Sequence, residues 1–258
     1  MTMPVGFVAH GAPTLALDHV KGAPLRAWAQ AMPTPQAIVV VSAHWETSPL
    51  STGAVETKPL IYDFSGFPPP LYQVQYPAPG APALSQKVRV CIEQEFGHAA
   101  ESPQRGFDHG VWVPLLHMYP QANIPVLQVS LPRSASAQEA FRLGYALASL
   151  REEGVLLLGS GVITHNLARL DFSDPPVTPV WAQDFDAWCA ERLQTWDIEA
   201  LVNFRQQTPN ALIAHPTDEH FSPLLFALGA ASVVPSLVAF PVVGFEFGSL
   251  SRRCVQFD

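Results

Sequence analysis

Ala37-Ile38-Val39-Val40-Val41-Ser42-Ala43 is the stretch that decides the fold. Its four consecutive branched apolar residues show no polar alternation. That pattern predicts a strand buried on both faces, as in a parallel sheet covered by helices on either side. Similar short apolar runs occur at Val5–Ala9, Ile124–Ser130, Val155–Gly159 and Leu237–Val243, and Ser51–Glu56 reads as a further strand. Helical patterns separate them. One lies within Leu15–Met32, with Leu25, Trp28 and Ala29 at helical spacing. Others span Pro82–Phe96, closed by Gly97 as a C-cap, then Ser136–Glu152, Trp181–Trp196, and His220–Leu228 ended by Gly229. The alternation predicts an α/β fold, a single domain over residues 1–258 with a central mixed or mostly parallel sheet flanked by helices. Residues 57–81 carry prolines and aromatics without periodicity, and a loop that long in a compact domain is usually functional.

Composition narrows the classes of function. The 258 residues are 48% hydrophobic and 14% charged, enough to fill a sizeable core and unlike a disordered chain. The formal net charge is −8 with no cluster of lysine or arginine, which argues against nucleic acid or an anionic membrane as partner. No apolar run reaches the roughly 20 residues of a membrane span, and the N-terminus has no secretory pattern. Cys91, Cys189 and Cys254 are far apart and form no CxxC, so they read as reduced, mostly buried thiols of a cytoplasmic protein. A homodimer is compatible with all of this, but no interface is legible.

Four histidines stand where an apolar run gives way to small or turn-forming residues: His10, His44, His165 and His220. Strand ends in open α/β sheets line the ligand crevice, and imidazoles gathered there suit a borderline divalent metal. His109, in a loop bounded by Gly106 and Gly110, is a fifth candidate. Taken singly, each has an ordinary explanation as a turn or core histidine. Glu219 is a rival ligand, or a first-turn carboxylate favoured by a helix dipole. Thr217 or Asp218 is the expected cap of the helix that follows. Ser160 makes a poor nucleophile, because Gly159-Ser160-Gly161 is not the GxSxG elbow. His19, His98, His117 and His215 read as surface or packing residues, with His215 the strongest exception.

Seven stretches carry a resemblance to a known family: FVAHGAP, PQAIVVVSAHW, YDFSGFPPPLYQVQYPAPGAPAL, GFDHGVWVPLLHMYP, LLLGSGVITHNL, HPTDEHFSPLLFALGA and FPVVGFEFGSLSRRCVQF. In this order they resemble the class III extradiol ring-cleaving dioxygenases, specifically the bacterial 4,5-DOPA dioxygenase branch. The resemblance implies one non-haem metal, with His10, His44 and His220 as ligands. It implies that His165 is an acid/base residue close enough to be a fourth ligand to zinc, and that His109 is a second catalytic histidine. The substrates implied are a catechol and O2, and the product a muconic semialdehyde. Two departures stand out. The third ligand position is a histidine where better-known extradiol enzymes carry glutamate, and Val162 replaces a small or polar residue.

Such chemistry needs a group that takes one catechol proton and later returns one, which histidine does near neutral pH. The segment Tyr62–Tyr76 would wall the ring from water. Fe(II) is the expected active metal. Zn(II) binds imidazole sites more tightly and is expected in purified protein. Two alternatives remain at this stage: a zinc-dependent hydrolase, and a non-catalytic metal-binding member of the same fold.

Overall fold

The computed structural model describes residues 2–133, 137–234 and 237–258. Its strands are β1 (Val5–Ala9), β2 (Ala37–Thr47), β3 (Ser51–Thr52), β4 (Ala100–Glu101), β5 (Val126–Pro132), β6 (Val155–Gly161), β7 (Val238–Ala239), β8 (Phe245–Glu246), β9 (Leu250–Ser251) and β10 (Val255–Phe257). The helices are α1 (His19–Ala31), α2 (Pro82–Phe96), α3 (His109–Met118), α4 (Ala137–Leu147), α5 (Val180–Gln194), the short α6 (Ile198–Val202), α7 (Phe204–Gln207) and α8 (Ala211–Ala214), and α9 (Ser222–Ala231).

Eight strands form one sheet in the order β4-β3-β5-β2-β6-β1-β10-β7. The four central strands β5-β2-β6-β1 are mutually parallel, and β10 adds antiparallel to β1. Strand residues alternate between two cores, as the period of two requires. Val39, Val41, Leu127, Val129, Val155 and Leu157 pack with buried residues of α2, α4, α5 and α9. Ile38, Val40, Val126, Leu156 and Leu158 pack with those of α1 and α3. The α/β sheet flanked by helices is therefore as expected. No described helix is long and apolar enough to cross a membrane.

Several boundaries differ for identifiable reasons. β2 runs on to Thr47 past the expected end at Ala43, but its register against β5 shifts between Val41 and Glu46. Five residues of β2 there span the same stretch as two of β5, and His44 lies in this irregular segment. The helix expected at His220–Leu228 is instead Ser222–Ala231, with Phe221 at the N-cap position and no side-chain cap from Thr217 or Asp218. Gly229 does not end it. A Cβ on Gly229 would lie 1.9 Å from the Phe141 carbonyl oxygen, so this glycine lets α4 and α9 approach closely. The start expected at Ser136 lies outside the described residues. Leu237–Val243 contributes only β7, and the residues after it form β8, β9 and β10. Residues 57–81 contain one 3-10 turn, Pro69–Gln73, and are packed down: Tyr62 donates to Val74 O (2.7 Å) and Tyr76 to Tyr119 O (3.1 Å).

Candidate metal centre

The C-terminal ends of β1, β2 and β6 share one edge of the sheet because all three run parallel. His10 is the first residue beyond β1, its N–H donating to Gly161 O at the end of β6 (3.2 Å). His44 stands in the irregular part of β2. His165 follows β6, and its N–H donates to Ala214 O (2.9 Å). His220 is drawn against the same edge from the turn before α9: Val162 N–H donates to its carbonyl (3.0 Å), and only a glycine fits at 161, where a Cβ would sit 2.3 Å from that carbonyl oxygen. His109 is not in a loop, as its glycine neighbours suggested, but opens α3. A buried carboxylate joins that helix start to β2. Asp108 accepts from Ser42 Oγ (2.8 Å), Arg105 Nη2 (2.9 Å) and Gln128 Nε2.

Three imidazoles form a nearly equilateral triangle. Ring centroids are 5.0 Å apart for His10–His44, 5.0 Å for His44–His220 and 5.4 Å for His10–His220. His109 lies 4.0 Å from His44, and His165 stacks on His220 at 3.4 Å and 7°. Ligand-capable atoms of His10, His44 and His109 lie within 4.8 Å of one another, as do those of His165, Glu219 and His220.

Hydrogen bonding sets the ring tautomers. Ser160 donates its hydroxyl proton to Gly110 O, so its Oγ accepts from His10 Nδ1 (3.0 Å). Glu219 Oε1 accepts from His220 Nδ1 (2.9 Å). Asp63 serves two rings: Oδ1 accepts from both the N–H (3.0 Å) and Nδ1 (2.9 Å) of His109, and Oδ2 stands 3.5 Å from His44 Nδ1. With their Nδ1 atoms donating, His10, His220 and His109 keep a lone pair on Nε2. His220 Nε2 is buried without a hydrogen-bond partner, and the Nε2 atoms of His10 and His44 face each other at 3.2 Å. Lone pairs brought together in this way suit a shared cation, and Nδ1 donation to a carboxylate or hydroxyl is the usual support of a metal-bound histidine. The donor set fits a divalent metal.

Electrostatics point the same way. Burial, then the neighbouring imidazoles, hold His10 and His220 well below the ordinary histidine range. His44 is lowered to about 4 by burial and by His109, against the opposing pull of Asp108 and Asp63. His165 is lowered to about 4 by burial, with Glu219 opposing. All four are neutral at pH 7, the form a metal requires. Burial raises the Asp63 carboxyl, but its hydrogen bonds from His109 outweigh this and bring it to about 2. The histidines open into a cavity of about 750 Å³.

The sequence named all five histidines, and the fold brings them together. His215 remains a packing residue, buried among Phe185, Phe204 and Phe221 with Nε2 on Ile163 O. His117 likewise bonds Leu15 O (2.8 Å). Asp63 was missed. Its signal was a single acid inside the aromatic run Tyr62-Asp63-Phe64. Ser160 is no nucleophile but holds His10, and Glu219 lies against His220 as its hydrogen-bond acceptor.

A family model described as the catalytic LigB subunit of aromatic ring-opening dioxygenase matches residues 17–242. The chain belongs to this family. The dioxygenase is 40% identical over 261 residues to the 4,5-DOPA dioxygenase extradiol of Escherichia coli (strain K12), covering 98% of this chain and 94% of the relative. It is 41% identical over 230 residues to the protein of that name from Beta vulgaris, covering 87% and 85%. The crystal structure of the uncharacterized protein JW3007 from Escherichia coli K12 superposes with a TM-score of 0.83 at 34% identity, over 99% of this chain and 100% of that one. These relatives make the chain an extradiol aromatic ring-opening dioxygenase, as the sequence motifs implied, and lend no support to the hydrolase alternative.

Proposed function

We propose that this dioxygenase cleaves a catechol ring with O2, outside the diol, to a muconic semialdehyde-type product, in one catalytic domain spanning residues 1–258. One divalent metal is held by His10, His44 and His220. The observation that carries this reading is their near-equilateral triangle, with Nδ1 of each ring beside a hydroxyl or carboxylate oxygen and the His220 Nε2 orphaned. Fe(II) is the active metal, and when bound it supplies the electron transfer between ring and dioxygen that no side chain here offers. Zn(II) competes for the same imidazoles, with His165 as its fourth ligand.

The protein's own part is protonic and steric. His165, neutral and stacked on His220, accepts a proton from one catechol hydroxyl and returns it when the ring opens. His109 donates Nδ1–H to Asp63, which leaves its Nε2 free to accept from a hydroxyl. Phe64 and Phe67 line the cavity from the packed 57–81 segment and keep water from the ring. The reduced cysteines are consistent with a cytoplasmic setting.

The test is anaerobic loading with Fe(II), admission of O2, and a panel of catechols read by oxygen uptake and by the visible absorbance of the ring-opened product. The names of the relatives put L-DOPA first on that panel. Absence of both signals with every catechol refutes the reading. His165→Ala should keep metal and lose turnover by about 10²–10⁴-fold. Loss of the metal instead makes His165 primarily a ligand.

A further inference from the structure

The register break in β2 takes His44 out of the hydrogen bonding of the sheet. β2 pairs with β6 as far as Ser42, and with β5 up to Val41 and again from Glu46. Among the described residues, Ala43, His44 and Trp45 therefore stand outside both ladders, and their backbone polar groups need other partners. Side chains supply them for His44. Its N–H donates to Ser42 Oγ (3.2 Å), and its carbonyl accepts from Arg105 Nη2 (3.3 Å). One carboxylate holds both side chains. Asp108 Oδ1 accepts from Ser42 Oγ (2.8 Å), and Oδ2 accepts from Arg105 Nη2 (2.9 Å) and from Gln128 Nε2.

Asp108 is fully buried and stands at the N-cap position of α3. An aspartate there ordinarily accepts from the first N–H groups of its own helix. Asp108 makes no such cap, and its carboxylate faces β2 instead. Nor does stability alone account for it, since a buried ion pair is often no more stabilising than apolar residues of the same volume. His109 follows Asp108 directly. The next residue, Gly110, lies so close to β2 that a Cβ would stand 2.3 Å from Ser42 Oγ and 3.0 Å from His44 Cδ2. The Gly110 carbonyl in turn accepts from Ser160, the residue that holds His10 Nδ1. We infer that Asp108 is a positioning residue of the metal centre: through Ser42 and Arg105 it fixes the backbone of His44, and through the start of α3 it fixes His109 beside it. Asp63 aligns the side chains of these two histidines, and Asp108 sets where their backbones stand. The inference rests on the reading of His44 as a metal ligand.

Co(II) alone is the probe, titrated without oxygen into the metal-stripped full chain and read by its visible ligand-field bands, so neither catechol nor O2 enters the measurement. Ser42→Ala removes the link from Asp108 to the His44 N–H and leaves the Asp108–Arg105 pair in place. Its dissociation constant for Co(II) should rise about tenfold, and that of Asp108→Asn about 10–100-fold, as for other outer partners of metal ligands. The bands should shift in both variants. The double variant should bind no more weakly than Asp108→Asn, because both changes break one chain of hydrogen bonds. Fully additive losses mean two separate effects and overturn the inference. Val88→Ala, a truncation in the core at α2, controls for lost stability: it should lower the denaturation midpoint and leave affinity and spectrum unchanged. Parental affinity and spectrum in folded Ser42→Ala and Asp108→Asn overturn the inference, and Ser42→Ala decides alone if Asp108→Asn does not fold. If the parent protein itself binds no Co(II), the metal reading fails, and this inference with it.

Discussion

Lowering the pH of the metal-stripped protein tests the electrostatics of its buried histidines. His44 and His165 are both held near 4, against 6.5 for an ordinary histidine. In the unfolded chain these rings take up protons as the pH falls through 6.5, while in the folded protein they stay neutral until about 4. The unfolded state therefore binds more protons throughout that window, and stability falls as the pH falls. Full stability is present above 6.5, is lost progressively down to about 4, and then levels off for these two rings. Each contributes about 3 kcal/mol to the loss, at roughly 1.4 kcal/mol per proton per pH unit. His10 and His220 act in the same direction, as do the packing residues His215, lowered to about 3 by burial, and His117. Glu46, raised by burial and by Glu219, opposes them slightly from the surface. Asp63 works only below its ordinary range and outside this window. Since domain stabilities are typically about 5–15 kcal/mol, the metal-free protein should lose much of its stability between pH 6.5 and 4.5. Urea unfolding midpoints taken every half pH unit after chelation measure the slope. A slope corresponding to less than one proton across pH 6–5 refutes the account, because it means the rings are protonated in the folded state.

Asp63→Ala removes the acceptor of His109 and the carboxylate 3.5 Å from His44 Nδ1, and should weaken metal binding about 10–100-fold by analogy with other supporting carboxylates. Competition against a coloured chelator reads this out, and unchanged affinity shows that Asp63 does not orient the rings. Gly161→Ala forces a methyl toward the His220 carbonyl, 2.3 Å from its ideal position, and should cost about 1–3 kcal/mol as overpacking. A denaturation midpoint equal to that of the parent protein shows that the strand end yields easily.

The residues themselves determined the elements and the chemistry. Continuous branched runs such as Ile38–Val41 can be satisfied only by burial on two faces, so the layered α/β architecture follows locally. The five histidines and their likeness to a ring-cleaving family were also legible in order along the chain. Distance was not. His10, His44 and His220 span 210 positions, and only parallel pairing of β1, β2 and β6 puts their ends on one edge. The break in β2 register that holds His44 depends on how β5 pairs beside it, which no local pattern encodes. Gly229 read as a helix stop because its partner, the Phe141 carbonyl, is remote in sequence. Asp63 looked like one acid in a loop until folding placed it between two imidazoles. Apolar periodicity is a property of neighbours along the chain, whereas hydrogen-bond acceptors and ring tautomers are set by groups that meet only across the sheet edge.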